Sequence, residues 1–283
     1  MKLYQAKRRI FPDPAVESID GIVAMGDQLN VPTLFEAYSF GIFPWPHEDL
    51  PLLWYSPDPR GVIDFKNVKI SKSLRKFLKN ETDFYQNLAE DSVGADTETG
   101  TGTGVDADVN AGTETAELAT VNRNNSKLSK GATLFKPTKY AVTFNTAFAD
   151  VMQKCSEVPR PGQGGTWIHA PLKRAYLDFH KAGYAHSVEV WRQEGQSKKL
   201  VGGLYGVYVG GVFAGESMFY LESNTSKLAL LSLIERLKKN GLEWMDIQMV
   251  TPVTEALGGR YISRQEYLDR LEISKPEAKP IKF

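Results

Sequence analysis

The sequence predicts an α+β protein in which a small N-terminal domain precedes a larger C-terminal domain built on a mixed sheet. Strand patterns follow one another in the C-terminal half, and one strongly apolar helix separates them from a last strand. A run of small and acidic residues, GADTETGTGTGVDADVNAGTETAE at 94–117, divides the 283-residue chain. We therefore expect an N-terminal domain at 1–80, a flexible acidic insertion at 88–131 and a catalytic domain at 132–283.

Proline and aromatic residues dominate the N-terminal segment GIFPWPHEDLPLLWYSPDPRGVI at 41–63. Proline prevents a long helix, so this segment predicts a rigid, turned connection.

The segment that follows, ISKSLRKFLKN, predicts an amphipathic helix capped by Ser71. Its apolar face carries Ile70, Leu74, Phe77 and Leu78, and its outer face carries Lys69, Lys72, Lys76 and Lys79. Such a stripe of like charges indicates either a solvated face or a surface that an anion visits.

The C-terminal half alternates between strand and helix patterns. AHSVEVW and KLVGGLYGVYVGGVFAGESMFY predict strands, the second forming a hairpin around Gly210-Gly211. SKLALLSLIERLKK predicts a helix that is capped within 224–226 and ends at Asn240-Gly241. With the strand EWMDIQMV after it, the order predicts a helix packed across a mixed sheet, as in acyltransferases of the GNAT type.

Charge and composition limit the possible partners. The chain is neutral overall, but residues 81–131 hold ten acidic residues against three basic ones, which leaves +7 for the remainder. A positive balance of this kind suits a polyanionic partner, although a solvated surface of mixed charge gives the same count. The single Cys155 and four scattered histidines predict neither a disulfide framework nor a metal site. Without a signal-peptide pattern or an 18-residue apolar run, we expect a cytoplasmic protein with no membrane contact.

Polar residues interrupt two of the predicted strands. In EWMDIQMV, Asp246 and Gln248 share one face and Met245 and Ile247 the other. The pattern fits a strand with one solvated face, or a pair about 6.5 to 7 Å apart that converges on one small group. Glu216 stands in the apolar row of GGVFAGESMFY, so it either reaches water at an edge or awaits a cation in a pocket. Without a Ser-His or Cys-His motif, these residues favour binding a cationic amine.

Eight motifs occur in order over roughly 10–80 and 134–271: GIVAMGDQLN, AYSFGIFPW, LLWYSPDPR, GTWI, GYAHSVEVW, LVGGLYGV, GGVFAGESMF, and MDIQ followed by Pro and LGG. In these motifs the chain resembles the leucyl/phenylalanyl-tRNA–protein transferases. The resemblance implies a GNAT-like C-terminal domain that needs no cofactor. It implies transfer of Leu or Phe, and sometimes Met, from aminoacyl-tRNA to proteins with N-terminal Arg or Lys, which marks them for N-degron degradation.

The resemblance also implies roles for particular residues. Asp246 and Gln248 would serve peptide-bond formation, and Glu216 would receive the basic side chain of the acceptor. Trp54 and Trp167 would lie near the terminal adenosine of the tRNA.

An apolar pocket for the Leu or Phe side chain is also implied, with Leu204, Phe213 and Phe219 as candidates by position. The chain departs from the family pattern at Ile247, where a Cys is usual, and at Val253, where a His is usual.

Two other functions stay open at this level. A catalytically silent protein that binds tRNA or peptides could carry the same residues. An acetyltransferase of the same fold would use acyl-CoA, but the turn before its central helix is usually rich in glycine. Here the turn reads YLESNTSKLAL, without glycine.

Overall fold

The computed structural model describes residues 10–16, 19–26, 28–46, 50–84, 138–158 and 168–283. These residues form one compact unit that combines helices with a three-stranded and a seven-stranded sheet, which confirms the predicted α+β class. The predicted acidic insertion at 88–131 lies outside the described residues.

The N-terminal segment forms a small antiparallel sheet with one helix. Its strands are β1 (Ile22–Met25), β2 (Phe43–Trp45) and β3 (Leu53–Tyr55), in the order β1-β3-β2. Helix α1 (Val31–Ser39) joins β1 to β2, and the side chain of its N-cap Asn30 accepts a hydrogen bond from the backbone of Thr33 at 3.0 Å. The residues of the proline-rich segment that the structure describes, 41–46 and 50–63, thus form short strands and turns and no helix, as expected.

The larger sheet has the order β10-β4-β9-β8-β7-β6-β5. Its strands are β4 (Arg60–Asp64), β5 (Tyr140–Phe144), β6 (Ala185–Glu194), β7 (Ser197–Val209), β8 (Val212–Tyr220), β9 (Trp244–Gln248) and β10 (Arg260–Ile262). Among the described strands of this sheet, β8 and β9 are the one pair of neighbours that run parallel, because a helix connects them. The N-terminal segment contributes β4, which pairs with β9.

Within the described residues, six further α-helices pack on or beside this sheet. They are α2 (Lys72–Glu81), α3 (Phe148–Glu157), α4 (Ala170–Lys181), α5 (Thr225–Lys239), α6 (Pro252–Ala256) and α7 (Arg264–Ser274). None of the described helices has the length and apolar character that crossing a membrane requires.

Local predictions from the sequence are mostly confirmed. Ser71 caps α2 by accepting a hydrogen bond from the Leu74 backbone at 3.2 Å, and the four predicted lysines are exposed. Gly210 and Gly211 form the β7–β8 turn with φ of 63° and 80°. The cap of α5 differs, because Asn224 adopts a left-handed conformation and its side chain makes no capping hydrogen bond.

One apolar core joins the N-terminal segment to one face of the large sheet. Leu34 of α1, Trp54 of β3, Val151 of α3 and Phe179 of α4 are all fully buried in it. Because α1 packs on α4, residues far apart in the chain meet above β7 and β8.

Candidate functional site

Glu216 and Gln248 meet where the two parallel strands diverge. Ala214 of β8 is in register with Asp246 of β9, so Glu216 and Gln248, each two residues further on, lie side by side. The Gln248 side-chain Nε2 donates a hydrogen bond to Glu216 Oε1 at 2.8 Å. The side chain that meets Gln248 is therefore that of Glu216 on the neighbouring strand, whereas the spacing in the sequence had paired Gln248 with Asp246.

A β-bulge places the Glu216 side chain. Tyr205 of β7 pairs with Ser217 and Gly206 pairs with Gly215, which leaves Glu216 as the extra residue. A bulge breaks the simple alternation of faces, so Phe219, three residues after Glu216, lies in the same core cluster as Ala214, Tyr38 and Tyr176.

Two buried tyrosines lie beneath the Glu216 carboxylate. Tyr176 of α4 donates a hydrogen bond to Glu216 Oε2 at 3.3 Å, and the hydroxyl groups of Tyr176 and Tyr38 of α1 are in hydrogen-bond contact. Burial, and then the nearby Glu216 charge, raise the pKa of both phenols well above their usual value. Both phenols are therefore protonated at neutral pH and act as donors.

Glu216 has no cationic partner among the residues that the structure describes. Burial raises its pKa from 4.5 to about 7, an effect that the Asp246 charge reinforces and that hydrogen bonds from Tyr38, Gln248 and Tyr176 partly oppose. The residue is only partly buried, so a ligand can still reach it. A carboxylate in this state suits either binding a cation or exchanging a proton near neutral pH.

The Asp246 carboxylate, unlike that of Glu216, is paired with a cation. Arg60 of β4 binds it with both ends of its guanidinium, Nε to Oδ1 at 2.9 Å and Nη2 to Oδ2 at 2.6 Å. Tyr267 of α7 donates to Oδ2 at 3.1 Å, and the backbone N–H of Gln248 donates to Oδ1 at 2.8 Å. A carboxylate has about four acceptor positions, so Asp246 is saturated.

The structure distinguishes between the two interpretations of the strand EWMDIQMV. Its polar face is not solvated, since Asp246 is 0 % and Gln248 7 % exposed. Protein groups occupy all acceptor positions of the Asp246 carboxylate in this structure. Of the predicted pair, only the Gln248 side chain reaches Glu216.

The backbone at Gln248 is unusual. Its φ is +54°, a left-handed value that residues other than glycine rarely adopt, and the N–H of Met249 bonds to the carbonyl of Ile247 at 2.5 Å. This i to i+2 bond defines a tight γ-turn. Gly61 of β4 permits it, because a Cβ there would lie 2.9 Å from the Met249 backbone.

The structure describes one of the two tryptophans that were predicted to lie near the terminal adenosine of the tRNA. Trp54 is fully buried, its Nε1 donates to the carbonyl of Gly26 at 2.7 Å, and its ring lies 4.8 Å from that of Phe11. As placed, it has no open face on which a base could stack. The partly exposed rings on the same small sheet are Trp45 and Tyr55, 5.7 Å apart. Trp167 lies outside the described residues.

The three apolar pocket candidates do not come together. All are buried, but Phe219 packs over Gly203 near Val151 of α3, whereas Phe213 packs over Gly206. Gly203 and Gly206 are three residues apart in one strand, so they face opposite sides of the sheet. Leu204 shares the Gly206 side, and only Phe219 belongs to the core cluster of Tyr38 and Tyr176.

Four residues of the site were missed by the sequence analysis: Arg60, Tyr267, Tyr38 and Tyr176. Arg60 and Tyr38 stand in the quoted motifs LLWYSPDPR and AYSFGIFPW, which was the available signal. Tyr176 and Tyr267 lie on the buried faces of α4 and α7, where a tyrosine is equally suited to a core position. No cluster of three or more His, Cys, Asp or Glu within the described ranges is arranged to hold a metal ion.

Comparison of the sequence with known families gives two matches along the chain. Residues 121–272 match the profile of leucyl/phenylalanyl-tRNA protein transferase, and residues 27–58 match the N-terminal domain of the same family. Between them, the matched ranges contain every predicted site residue.

Individual relatives match over nearly the full chain. A leucyl/phenylalanyl-tRNA–protein transferase of Oleidesulfovibrio alaskensis is 35 % identical over 274 residues, 96 % of this chain and 88 % of the relative. The transferases of Shewanella halifaxensis and Syntrophobacter fumaroxidans are each 36 % identical. They match over 91 % and 95 % of this chain and over 83 % and 88 % of their own lengths.

Proposed function

The chain belongs to the leucyl/phenylalanyl-tRNA–protein transferase family of aminoacyltransferases, and from this premise we propose that it transfers Leu or Phe to proteins whose first residue is Arg or Lys. Its acyl donor is an aminoacyl-tRNA and its acceptor is a protein. The proposal includes Met as an occasional donor residue and degradation through the N-degron pathway as the fate of the product.

The observation that carries the proposal is the Glu216 carboxylate. It lies partly buried beside Gln248 and Tyr176, and no cation accompanies it among the described residues. Burying an unpaired carboxylate is costly, which is why its pKa is raised to about 7. An acceptor that begins with Arg or Lys supplies the missing cation through a charge-assisted hydrogen bond.

The chemistry needs little beyond positioning. The α-amine of the acceptor attacks the carbonyl carbon of the aminoacyl ester, the C–N bond forms, the C–O bond to the ribose breaks, and the ribose oxygen leaves with a proton. An ester is already activated, and holding both reactants together is worth effective molarities of about 10⁵ to 10⁸ M. Gln248 orients the amine through its amide oxygen, since an amide is too weak a base to remove the proton.

We propose that Asp246 acts on this reaction indirectly. Its carboxylate fixes the backbone of Gln248, and the substrate meets the Gln248 and Glu216 side chains. Of the apolar candidates, Phe219 is the one on the side of Tyr38 and Tyr176, so we assign the Leu or Phe side chain to that side of the sheet.

The tRNA is assigned to one aromatic residue and one charged surface. Base stacking requires an open aromatic face, which the buried Trp54 lacks, so we keep Trp167 as the candidate for contact with the terminal adenosine. The exposed lysines Lys72, Lys76 and Lys79 of α2, together with Lys69 just before the helix, supply positive charge for the phosphate backbone.

The test is transfer of labelled leucine from preformed leucyl-tRNA to a protein that begins with Arg, without ATP or CoA. An otherwise identical acceptor with an acetylated N-terminus is the matched control. Label on the free-amine acceptor alone is the expected result. Tight binding of leucyl-tRNA with no transfer would instead establish a silent tRNA-binding protein. Acetyl transfer in a parallel reaction with labelled acetyl-CoA, and none from leucyl-tRNA, would establish an acetyltransferase.

A further inference from the structure

Arg60 is a buried arginine that cannot touch a substrate in the described structure. It is 1 % exposed, and each of its nitrogens is used. Nε and Nη2 bind Asp246, Nη1 donates to the carbonyl of Gly41 at 3.0 Å, and Nη2 also approaches the Tyr267 hydroxyl at 3.4 Å. The guanidinium carbon lies 4.8 Å and 4.4 Å from the ring centroids of Phe43 and Tyr267. Its orientation is therefore fixed on every side.

The ion pair continues directly into the site. Asp246 Oδ1 accepts from Arg60 Nε and also from the backbone N–H of Gln248, so one oxygen joins the two residues. Arg60 and Gly61 are adjacent in β4, and Gly61 is the residue that pairs with Gln248. Arg60, through Asp246, and Gly61, through strand pairing, thus both contact the turn at Gln248.

The turn needs such support. Gln248 holds a φ of +54° at the centre of a γ-turn, a conformation that persists only where its surroundings determine it. In this conformation its side chain reaches Glu216 on the neighbouring strand at 2.8 Å. An extended residue at this position would point its side chain along the normal alternation of the strand.

We propose that Arg60 is a positioning residue of the transfer reaction, which through Asp246 holds Gln248 in its left-handed turn and so aims the Gln248 amide at Glu216 and the acceptor amine. The inference rests on the proposed function. A guanidinium fork is required, because the ammonium of lysine offers a point charge and cannot hold both carboxylate oxygens in a fixed plane.

The experiment compares Arg60→Lys with Arg260→Lys. Arg260 of β10 also pairs with an aspartate in the same sheet, its Nε donating to Asp64 Oδ2 at 2.8 Å, but no contact links that pair to Gln248. The readout is the single-turnover rate of leucine transfer with enzyme in excess over leucyl-tRNA. When the folded enzyme is also at a concentration that saturates leucyl-tRNA, and the acceptor is saturating, this rate constant does not depend on the fraction of enzyme that is misfolded.

We expect Arg60→Lys to lower the single-turnover rate by about 10- to 100-fold, since small misplacements of a positioning group have effects of this size. The Kd for leucyl-tRNA should stay within about twofold, and Arg260→Lys should keep the wild-type rate. An Arg60→Lys rate within about threefold of wild type, or an equal loss in Arg260→Lys, would overturn the inference.

Tyr267→Phe covers the case in which Arg60→Lys does not fold. It removes only the hydroxyl that donates to Asp246 Oδ2, and we expect a roughly three- to tenfold slower single turnover. An unchanged rate would count against the inference. Absence of transfer by the wild-type protein would be a failure of the proposed function instead, so the two failures are distinguishable.

Discussion

Two carboxylates on neighbouring strands of one sheet have opposite environments. Asp246 of β9 is fully buried and saturated by Arg60, Tyr267 and the Gln248 backbone. Glu216 of β8 keeps some exposure, accepts hydrogen bonds from only neutral donors among the described residues, and has a pKa raised to about 7. A carboxylate that a cation holds in place therefore has a structural role, whereas a carboxylate without a cation is available to bind a ligand.

The largest expected effect concerns the stability of the saturated carboxylate. Arg60→Met should lower the free energy of unfolding by about 3 to 5 kcal/mol, because it leaves the buried Asp246 carboxylate without its cation. Urea unfolding at pH 7.5 measures this change. The double variant Arg60→Met/Asp246→Leu should recover much of the loss, and a double variant no more stable than the single one would contradict the account.

The next effect concerns the carboxylate without a cation. Glu216→Gln should raise the KM for an acceptor that begins with Arg by about 10- to 100-fold, since a hydrogen bond between charged groups contributes roughly 1.5 to 3 kcal/mol. Steady-state transfer at saturating leucyl-tRNA gives this value. Glu235→Gln, which removes a surface partner of Lys238, is the matched control. Equal losses for Arg-initiated and neutral acceptors would refute a role in recognising the basic residue.

The same substitution should make the protein more stable. Folded Glu216 keeps its proton up to about pH 7, whereas the unfolded residue loses it near 4.5, so ionisation of Glu216 lowers stability as pH rises through this window. Glu216→Gln should therefore increase the free energy of unfolding by about 2 kcal/mol at pH 8. Urea titrations of both proteins at pH 4 and pH 8 test this, and a stabilisation of equal size at both pH values would rule out the explanation.

The smallest expected effect concerns the pH dependence of acceptor binding at Glu216. The KM of the wild type for the Arg-initiated acceptor should rise as pH falls below about 7, because protonated Glu216 carries no charge to bind the basic residue. Tyr176→Phe removes a donor to this carboxylate, so the pKa of Glu216 should rise further and the KM profile should move upward by a fraction of a pH unit. An unmoved or downward-shifted profile would show that Tyr176 does not stabilise the charged form.

Local sequence patterns predicted the local structure well. The cap at Ser71, the Gly210-Gly211 turn and the end of α5 at Asn240-Gly241 each depend on residues within a few positions, and each is found. Patterns that assume regular alternation failed at the site itself. The bulge at Glu216 and the left-handed turn at Gln248 both break the period of two on which the face assignments relied.

At the candidate site, too, the features that depend on local sequence were predicted, and those that depend on distant parts of the chain were not. Glu216 and Gln248 were found because charged and amide side chains are conspicuous in apolar strands. The assignment of Trp54 to a stacking surface, and of Leu204 and Phe213 to the pocket of Phe219, depended on burial and on the side of the sheet. Neither is encoded in the spacing of the residues.

From the sequence alone we could predict the α+β class, the order of the C-terminal elements and the family, because these depend on short-range periodicity and on ordered motifs. Only the tertiary structure decided which carboxylate is paired. Arg60 and Asp246 are 186 positions apart, and the strand pairing of β4 with β9 brings them to 2.6 Å. Whether a buried charge is neutralised depends on what lies within a few ångströms of it in space, and that distance is set by the fold as a whole.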